Sequence, residues 1–294
     1  RKKKGWFPYM SNFFKVKEHG STVRTEIMAG VTTFMAMAYI LMVNAGMFSS
    51  LGTVSYGAIY IATAISAVIG TVLIGLLSNL PLAQASGMGL NAFFVYTVCF
   101  TFGLSYANAL VLVLVDGIVF VLLTVTGLRK MIFDAIPAAV KTAISAGIGL
   151  FIAFIGLQNS GLCVDSATLV GIISFPENFH TAGICALLTL IGLFFTAVFY
   201  TRKMKGAILY GILLTWILGM LCQVTGLYVP TPDAGFYSLF PSWGMTDFSK
   251  LGLTFGQCFN VDFSAVGIVN FIVVIFSFLF VDIFDTLGTL IGVA

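Results

Sequence analysis

Long apolar stretches dominate the pattern of hydrophobic and polar positions along the chain. Eight of them contain almost no Arg, Lys, Asp or Glu, at residues 27–48, 57–78, 88–102, 106–127, 140–157, 181–200, 206–226 and 265–294. Several reach the roughly 20 residues that a helix needs to cross the hydrocarbon core of a bilayer, whereas the third is unusually short. Because the stretches are continuously apolar rather than alternating, they predict membrane-spanning helices.

Composition excludes a soluble domain with an ordinary wetted surface, because 59% of the residues are hydrophobic and only 9% are charged. The basic residues then orient the spans, since Lys and Arg collect in cytoplasmic loops. Of the 14 basic residues, 13 precede the first span or follow the fourth and sixth, and Lys250 in the 227–264 loop is the exception. The pattern predicts an inner or plasma membrane protein with a cytoplasmic N-terminus and no nucleic-acid surface.

The third span contains the most informative irregularity. Between Pro81 and Gly89 the sequence PLAQASGMG is rich in small and turn-forming residues, which do not suit a helix that faces lipid. Irregular backbone at membrane depth persists only where it is buried in protein or lines a cavity. We therefore expect a half-helix that starts near Met88 and directs the positive end of its dipole into the protein interior, where it can meet a polar ligand.

The number of spans has a topological consequence, because the seven predicted spans before the eighth are an odd number. If the eighth span begins a second copy of the first seven, the second copy crosses the membrane in the opposite sense. Inverted repeats of this kind are typical of secondary transporters, whose binding sites lie near the bilayer midplane. The count permits an inverted repeat without proving one.

Three acidic residues lie within the predicted spans, where such residues are costly and usually functional. Asp282 and Asp285, in FVDIFDTLGTL, share a helical face with Thr286 and Thr289. Burial and mutual repulsion favour a bound proton on the aspartate pair near neutral pH, and carboxyl groups also accept hydrogen bonds from ring N–H groups. Apart from Lys141 at the start of the fifth span, no Lys or Arg lies within a span, which argues against an intramembrane ion pair. Asp116, alone in LVLVDGIVF, suits a structural and a functional role equally.

Asn91 lies on the first turn of the expected half-helix, where its amide offers both a donor and an acceptor. A buried Asn can instead simply link two helices, but the adjoining break in the helix favours substrate contact. Phe93, Phe94 and Tyr96 could stack on a planar base, and the pattern singles out none of them. The five cysteines form no CxxC pair and lack metal-site spacing, so the sequence predicts no metal and no cofactor.

Four segments of the sequence carry a family resemblance. They are GSTVRTEIMAGVTTFMAMAYILMVNAGM at 20–47, GMGLNAFFVYTV at 87–98, IPAAVKTAISAGIGLFIAFIGLQNSGL at 136–162 and FVDIFDTLGTLIGVA at 280–294. In this order they resemble AzgA-like hypoxanthine/guanine permeases of the nucleobase/ascorbate transporter superfamily. The resemblance implies an all-α polytopic membrane protein with the uracil-permease-like 7+7 inverted-repeat fold, divided into a core domain and a gate domain.

On this resemblance the chain covers the first repeat plus the eighth segment. Residues 1–26 would form a cytoplasmic lead-in, 27–127 the core segments one to four, and 128–226 the gate segments five to seven. Residues 227–264 would form an extracytoplasmic loop, and 265–294 a truncated eighth segment that starts the second repeat. Without the tenth segment and its expected carboxylate, this chain alone is not expected to transport.

The resemblance further implies a secondary active transporter, not an enzyme, that imports hypoxanthine, guanine or adenine by proton symport. Asn91, Asp282, Asp285, Thr286 and Thr289 would bind the base, and the two aspartates would also couple protons. Spacing does not decide which aspartate touches the base. The expected partners are a purine base, protons and the lipid bilayer, with a homodimer as an option and sodium as an alternative coupling ion.

Three alternatives stay open at this point. A carrier of the same fold could take uracil, xanthine or an inorganic anion, although an anion carrier would more naturally place a basic residue at the half-helix. An intramembrane aspartyl protease needs two carboxylates that share a proton, and the GxGD pattern of that class is absent. A truncated chain could also be a non-transporting membrane scaffold or receptor.

Overall fold

The computed structural model describes residues 13–18, 20–167, 169–204, 206–231, 236–241, 248–260 and 267–293. The described chain is mostly helical. Much of the predicted lead-in and three parts of the 227–264 loop lie outside the described residues. The 7+7 repeat and the division into core and gate domains therefore stay predictions.

Ten α-helices are described, together with two π-helical and two short 3-10 segments. The α-helices are α1 (Val23–Met37), α2 (Tyr39–Ser49), α3 (Tyr56–Ser78), α4 (Met88–Ala92), α5 (Tyr106–Val125), α6 (Leu128–Ala135), α7 (Ala138–Asn159), α8 (Ile184–Thr201), α9 (Ala207–Val224) and α10 (Ile268–Val293). The π-helical segments are Phe93–Thr101 and Phe179–Gly183, and the 3-10 segments are Phe248–Leu253 and Gln257–Phe259.

Six helical stretches in the described part of the chain are long and apolar enough to cross a membrane. They are Val23–Ser49, Tyr56–Ser78, Tyr106–Val125, Ala138–Asn159, Phe179–Thr201 and Ala207–Val224. Each coincides with one of the eight predicted spans. The third predicted span is the shorter helix Met88–Thr101, and the eighth corresponds to α10, a helix of 26 residues.

Hydroxyl side chains start three of the long helices. Thr22, Ser55 and Ser105 lie at the N-caps of α1, α3 and α5, and each side-chain oxygen accepts a hydrogen bond from the backbone N–H three residues later. This capping satisfies a donor that the first helical turn leaves free. The first predicted span is not one continuous helix, because a break at Ala38 separates α1 from α2.

A short hairpin departs from the all-α expectation. Strands β1 (Cys163–Ser166) and β2 (Leu169–Ile172) pair antiparallel, with Cys163 opposite Ile172 and Ser166 opposite Leu169. The segment follows α7 and contains the β-branched residues typical of strands. Four residues per strand are too few for a clear alternation of apolar and polar positions, which is why the pattern alone predicted only a connection between spans.

The main hydrophobic core surrounds the short helix Met88–Thr101. Its buried side chains come from α2, the π-helical segment Phe93–Thr101, α5 and α10, and include Phe48, Phe94, Val98, Leu112 and Phe278. Phe278 of α10 is almost fully buried, and its ring meets that of Phe93 edge to face, with 4.9 Å between centroids. The aromatic contact fixes α10 against this helix.

Helices α8 and α9 approach each other through two reciprocal pairs of glycine and threonine. A β-carbon on Gly192 would collide with the Thr215 side chain, and one on Gly211 would collide with Thr196. Each threonine hydroxyl donates to the carbonyl of the glycine one turn earlier in its own helix, at 2.7 Å for Thr196 and 2.8 Å for Thr215. Small residues that permit such close approach are a common basis of helix association in membranes.

We expect Gly211→Ala to destabilise the protein by about 1–3 kcal/mol, because the added methyl group overpacks the α8–α9 contact. Gly147→Ala in α7 is the matched control, since nothing lies within 4 Å of a β-carbon at that position. Alanine favours a helix over glycine by roughly 1 kcal/mol, so the control should be neutral or stabilising. Thermal unfolding of the purified protein in detergent measures both, and equal Tm values would contradict the close packing.

Candidate functional site

The candidate site is built on the break between α3 and α4. Helix α3 ends at Asn79, whose φ of 53° lies in the left-handed region, and the backbone then stays without regular structure until Met88. The irregular segment lies along α3, because the Gln84 N–H donates to Thr71 Oγ1 at 2.9 Å. Its approach is close, with a β-carbon on Gly70 only 3.1 Å from Gln84 Cβ. The predicted start of the half-helix near Met88 agrees with the structure.

Asp285 lies at the N-terminal end of this half-helix. Gly87 is the N-cap residue of α4, and no side chain caps the backbone N–H groups at this helix start. A β-carbon built on Gly87 would be 2.7 Å from Asp285 Oδ2. A β-carbon at position 87 would therefore require the Asp285 carboxylate to move. The neighbouring Ser86 Oγ is buried and has no hydrogen-bond partner within the described residues. The arrangement joins a carboxylate, an unpaired hydroxyl and the free N–H groups of a helix start.

Packing in the core explains why Asp285 reaches Gly87. Phe278 of α10 contacts Phe93 and Phe94 above the start of the half-helix, and Asp285 follows two helical turns later. Helix α10 therefore runs antiparallel to the half-helix, and this direction places Asp285 beside Gly87. Phe94 is buried in this core and the Phe93 ring meets Phe278 edge to face. Stacking of an aromatic ring on a base stays a prediction.

Asn91 enters a hydrogen-bonded chain that crosses three helices. Its Nδ2 donates to Asn44 Oδ1 of α2 at 2.6 Å, and Asn44 Nδ2 donates to Thr63 Oγ1 of α3 at 2.7 Å. Asn44 and Thr63 are both buried. The Asn91 Oδ1 atom accepts no hydrogen bond within the described part of the chain. Asn91 thus links helices and at the same time keeps a free acceptor one turn above Gly87.

Asp282 occupies a different environment from Asp285. The Thr286 hydroxyl donates to the Asp282 carbonyl at 2.7 Å and lies 3.4 Å from Asp282 Oδ1. The Asp282 carboxylate also interacts electrostatically with Asp116 of α5 and with Arg129. Asp116 is buried, and its Oδ1 atom has no hydrogen-bond partner within the described residues. The structure therefore places Asp116 in the same acidic group as the pair on α10.

Arg129 is the basic residue with an electrostatic influence on the intramembrane carboxylates, and the described residues include no ion pair between it and Asp282. Gly127, with φ of 75°, turns the chain sharply between α5 and α6. The turn returns the Arg129 side chain toward α5, where its guanidinium lies 4.5 Å from the centroid of the Phe120 ring. Stacking on an aromatic face is a favourable position for a guanidinium. The Arg129 guanidinium therefore lies against α5, although Arg129 itself follows that helix in sequence.

Most of the side chains predicted for the site lie near the half-helix or near Asp282, whereas Thr289 lies apart from them. Asp285 and Asn91 lie at the half-helix, and Thr286 supports Asp282 on the α5 side. Thr289 is exposed, and its hydroxyl donates to the Asp285 and Thr286 carbonyls of its own helix. Tyr96 is exposed as well. The role of each of these residues in binding stays a prediction.

Sequence reasoning missed three residues that the geometry adds: Asn44, Thr63 and Arg129. Asn44 carried a usable signal, because it is an isolated amide in the apolar run YILMVNAGMF. Thr63 carried none, since threonine is common in membrane helices. Within the described residues, no group of three His, Cys, Asp or Glu side chains could hold a metal ion.

Comparison with known proteins gives consistent relatives. The chain matches the Permease family profile Xan_ur_permease over residues 24–294. Guanine/hypoxanthine permease PbuG of Bacillus subtilis (strain 168) is 40% identical over 294 residues, which cover 97% of this chain and 62% of PbuG. Guanine/hypoxanthine permease PbuO of the same organism is 38% identical, over 96% of this chain and 61% of PbuO. Adenine permease AdeP of Escherichia coli (strain K12) is 35% identical, over 97% of this chain and 59% of AdeP.

The chain thus spans about three-fifths of the length of these relatives. The relatives confirm the resemblance that four sequence segments carried, and they are permeases rather than enzymes. Together with six helices long and apolar enough to cross a bilayer, they establish a multi-pass membrane protein. The chain belongs to the Permease family that the Xan_ur_permease profile describes.

Proposed function

We propose that the full-length protein is a secondary transporter that imports purine bases by proton symport. The observation that carries the proposal is the position of Asp285 against Gly87, at the start of a half-helix that also presents Asn91. The relatives named guanine/hypoxanthine and adenine permeases support a purine cargo. Because the chain spans about three-fifths of the length of these relatives, the activity is proposed for the full-length protein.

The groups at the half-helix match the polar edges of a purine base. The Asp285 carboxylate and the Asn91 Oδ1 atom accept hydrogen bonds, as the ring N–H groups of a purine require. The free backbone N–H groups at the start of α4 donate them, as the ring nitrogens and carbonyl oxygen of a purine require. A neutral, planar ligand with both donors and acceptors therefore suits the site better than an inorganic anion, which the Asp285 carboxylate would repel.

Proton coupling is assigned to Asp282. Its carboxylate interacts electrostatically with Asp116, Asp285 and Arg129, so gain or loss of one proton changes the balance of charge among these groups. Asp285 is better placed to touch the base, because it lies at the half-helix. This division of labour is our proposal for the two aspartates, whose spacing in sequence does not separate their roles.

Orientation in the membrane follows from the distribution of basic residues. We place the N-terminus in the cytoplasm of a cell whose inner or plasma membrane holds the protein, with Arg129 at the cytoplasmic side of α5. The half-helix then starts inside the bilayer and ends on the outer side. A homodimer is compatible with this orientation.

The cargo is tested by uptake into cells that lack endogenous purine transport and express the full-length protein. We expect saturable uptake of labelled hypoxanthine, guanine or adenine that a protonophore abolishes, because the proton gradient drives symport. Uracil is the control substrate. Saturable uptake of uracil alone would replace the purine cargo by a pyrimidine, and uptake of purines that depends on sodium would replace the coupling ion.

Separate substitutions test the division between the two aspartates. We expect Asp285→Asn to raise the KM for purines at least about tenfold, since a hydrogen bond to a charged group contributes roughly 1.5–3 kcal/mol. Asp282→Asn should retain purine binding but lose accumulation driven by a pH gradient. Uptake kinetics and counterflow, measured with and without a pH gradient, distinguish the two effects. The reverse pattern would exchange the assignments of the two residues.

Two neighbouring glycines provide a test that leaves every polar group in place. Gly87→Ala introduces a β-carbon 2.7 Å from Asp285 Oδ2, whereas Gly89→Ala introduces one at an ordinary 3.6 Å from Phe151 Cε1. We expect Gly87→Ala to raise the KM about tenfold or more, because small displacements of a binding group are costly. Gly89→Ala should change the KM less than about threefold. Equal effects of the two substitutions would remove Asp285 from the base-binding site.

A further inference from the structure

A buried chain of three uncharged side chains lies behind the half-helix. Thr63 and Asn44 are among the few buried polar residues of the described chain, with 5% and 7% of their surfaces exposed. Thr63 belongs to α3, Asn44 to α2 and Asn91 to α4. Two hydrogen bonds of 2.7 and 2.6 Å connect them in that order. Their proximity is a property of the fold, because Asn44 and Asn91 are 47 residues apart in sequence.

The donor and acceptor order of these two hydrogen bonds determines which atom of the Asn91 amide stays available. An asparagine side chain has one acceptor atom and one donor nitrogen. Because Asn44 donates through Nδ2 to Thr63, its Oδ1 faces Asn91 and requires a donor there. Asn91 supplies Nδ2, which leaves its Oδ1 as the free acceptor. Reversal of the Asn91 amide alone would bring two carbonyl oxygens together in a buried site, and an unsatisfied buried group is costly. Reversal of both amides would require the Thr63 hydroxyl to donate to Asn44 Oδ1, whereas in the structure Thr63 Oγ1 accepts from Asn44 Nδ2.

We propose that Asn44 and Thr63 are positioning residues that hold the Asn91 amide with its carbonyl oxygen toward the base, and thereby select base edges that present an N–H group. The proposal rests on the proposed function and deepens it. Hypoxanthine and adenine differ in this respect, since N1 carries a hydrogen beside a carbonyl in hypoxanthine but is a bare acceptor beside an amino group in adenine. A fixed acceptor distinguishes these two edges, whereas a freely rotating amide does not.

A purely structural role makes a different prediction. Polar side chains often link membrane helices without contact to a ligand. In that case, loss of the Thr63–Asn44 bond would lower the stability of the protein and reduce uptake of all bases by the same factor. A positioning role instead changes the ratio between bases. Selectivity is therefore the informative measurement.

Thr63→Val and Thr63→Ser form a matched pair for this experiment. Valine keeps the shape of threonine but removes the hydroxyl that orients Asn44, whereas serine keeps the hydroxyl. In the full-length protein we expect Thr63→Val to shift the ratio of the KM values for hypoxanthine and adenine by about three- to tenfold, the equivalent of one hydrogen bond. Thr63→Ser should retain the wild-type ratio. The shift should appear in KM with little change in the maximal rate per molecule.

Insertion is verified for each variant by the amount of monodisperse protein extracted from membranes. If Thr63→Val does not insert, Thr63→Ala replaces it, because alanine removes the hydroxyl without added bulk. An unchanged ratio in the inserted variant overturns the proposal and leaves a helix-linking role only. Absence of purine uptake by the wild-type protein overturns the proposed function itself, so the two failures are distinguished by the wild-type control.

Discussion

The structure depends on how a segment of backbone without helical hydrogen bonds is covered inside a membrane protein. Unpaired N–H and C=O groups are costly in lipid, yet the chain from Asn79 to Gly87 has no regular structure. Thr71 of α3 satisfies one of its N–H groups, and α10 covers the end that leads into α4. Packing of Phe278 on Phe93 and Phe94 fixes that cover in place. The position of the acidic pair follows from it.

Coverage of the break by α10 also explains why charged groups are tolerated in the bundle. A carboxylate that faced lipid would be expensive, but Asp285 lies against the N-terminal end of a helix, where negative charge is stabilised. Asp282 has Thr286 beside it and Arg129 within electrostatic reach. Asp116 has neither a hydrogen bond to its Oδ1 atom nor a cation of its own among the described residues. The acidic group is therefore unevenly compensated, which suits a site whose charge changes when a proton binds.

Features that depend on local composition could be predicted from the sequence. The small residues between Pro81 and Gly89 indicated the break, and the spacing of Asp282 and Asp285 indicated one acidic face. Contacts across helices could not be predicted, because the bond between Asn44 and Asn91 depends on how α2 packs against α4. The return of Arg129 depends on a turn at Gly127 that counting charges does not reveal. The hairpin after α7 is too short for its pattern to be distinctive.

The site divides into a charged side and an uncharged side, carried by different helices. On the proposed assignment, Asp282 of α10 couples protons and Asp285 contacts the base. The hydrogen-bonded side chains of Asn91, Asn44 and Thr63 discriminate between bases. A change in the uncharged chain alters about one hydrogen bond, roughly 1 kcal/mol, whereas removal of a buried charge partner costs several times more. Preference among purines can therefore diverge while coupling is retained.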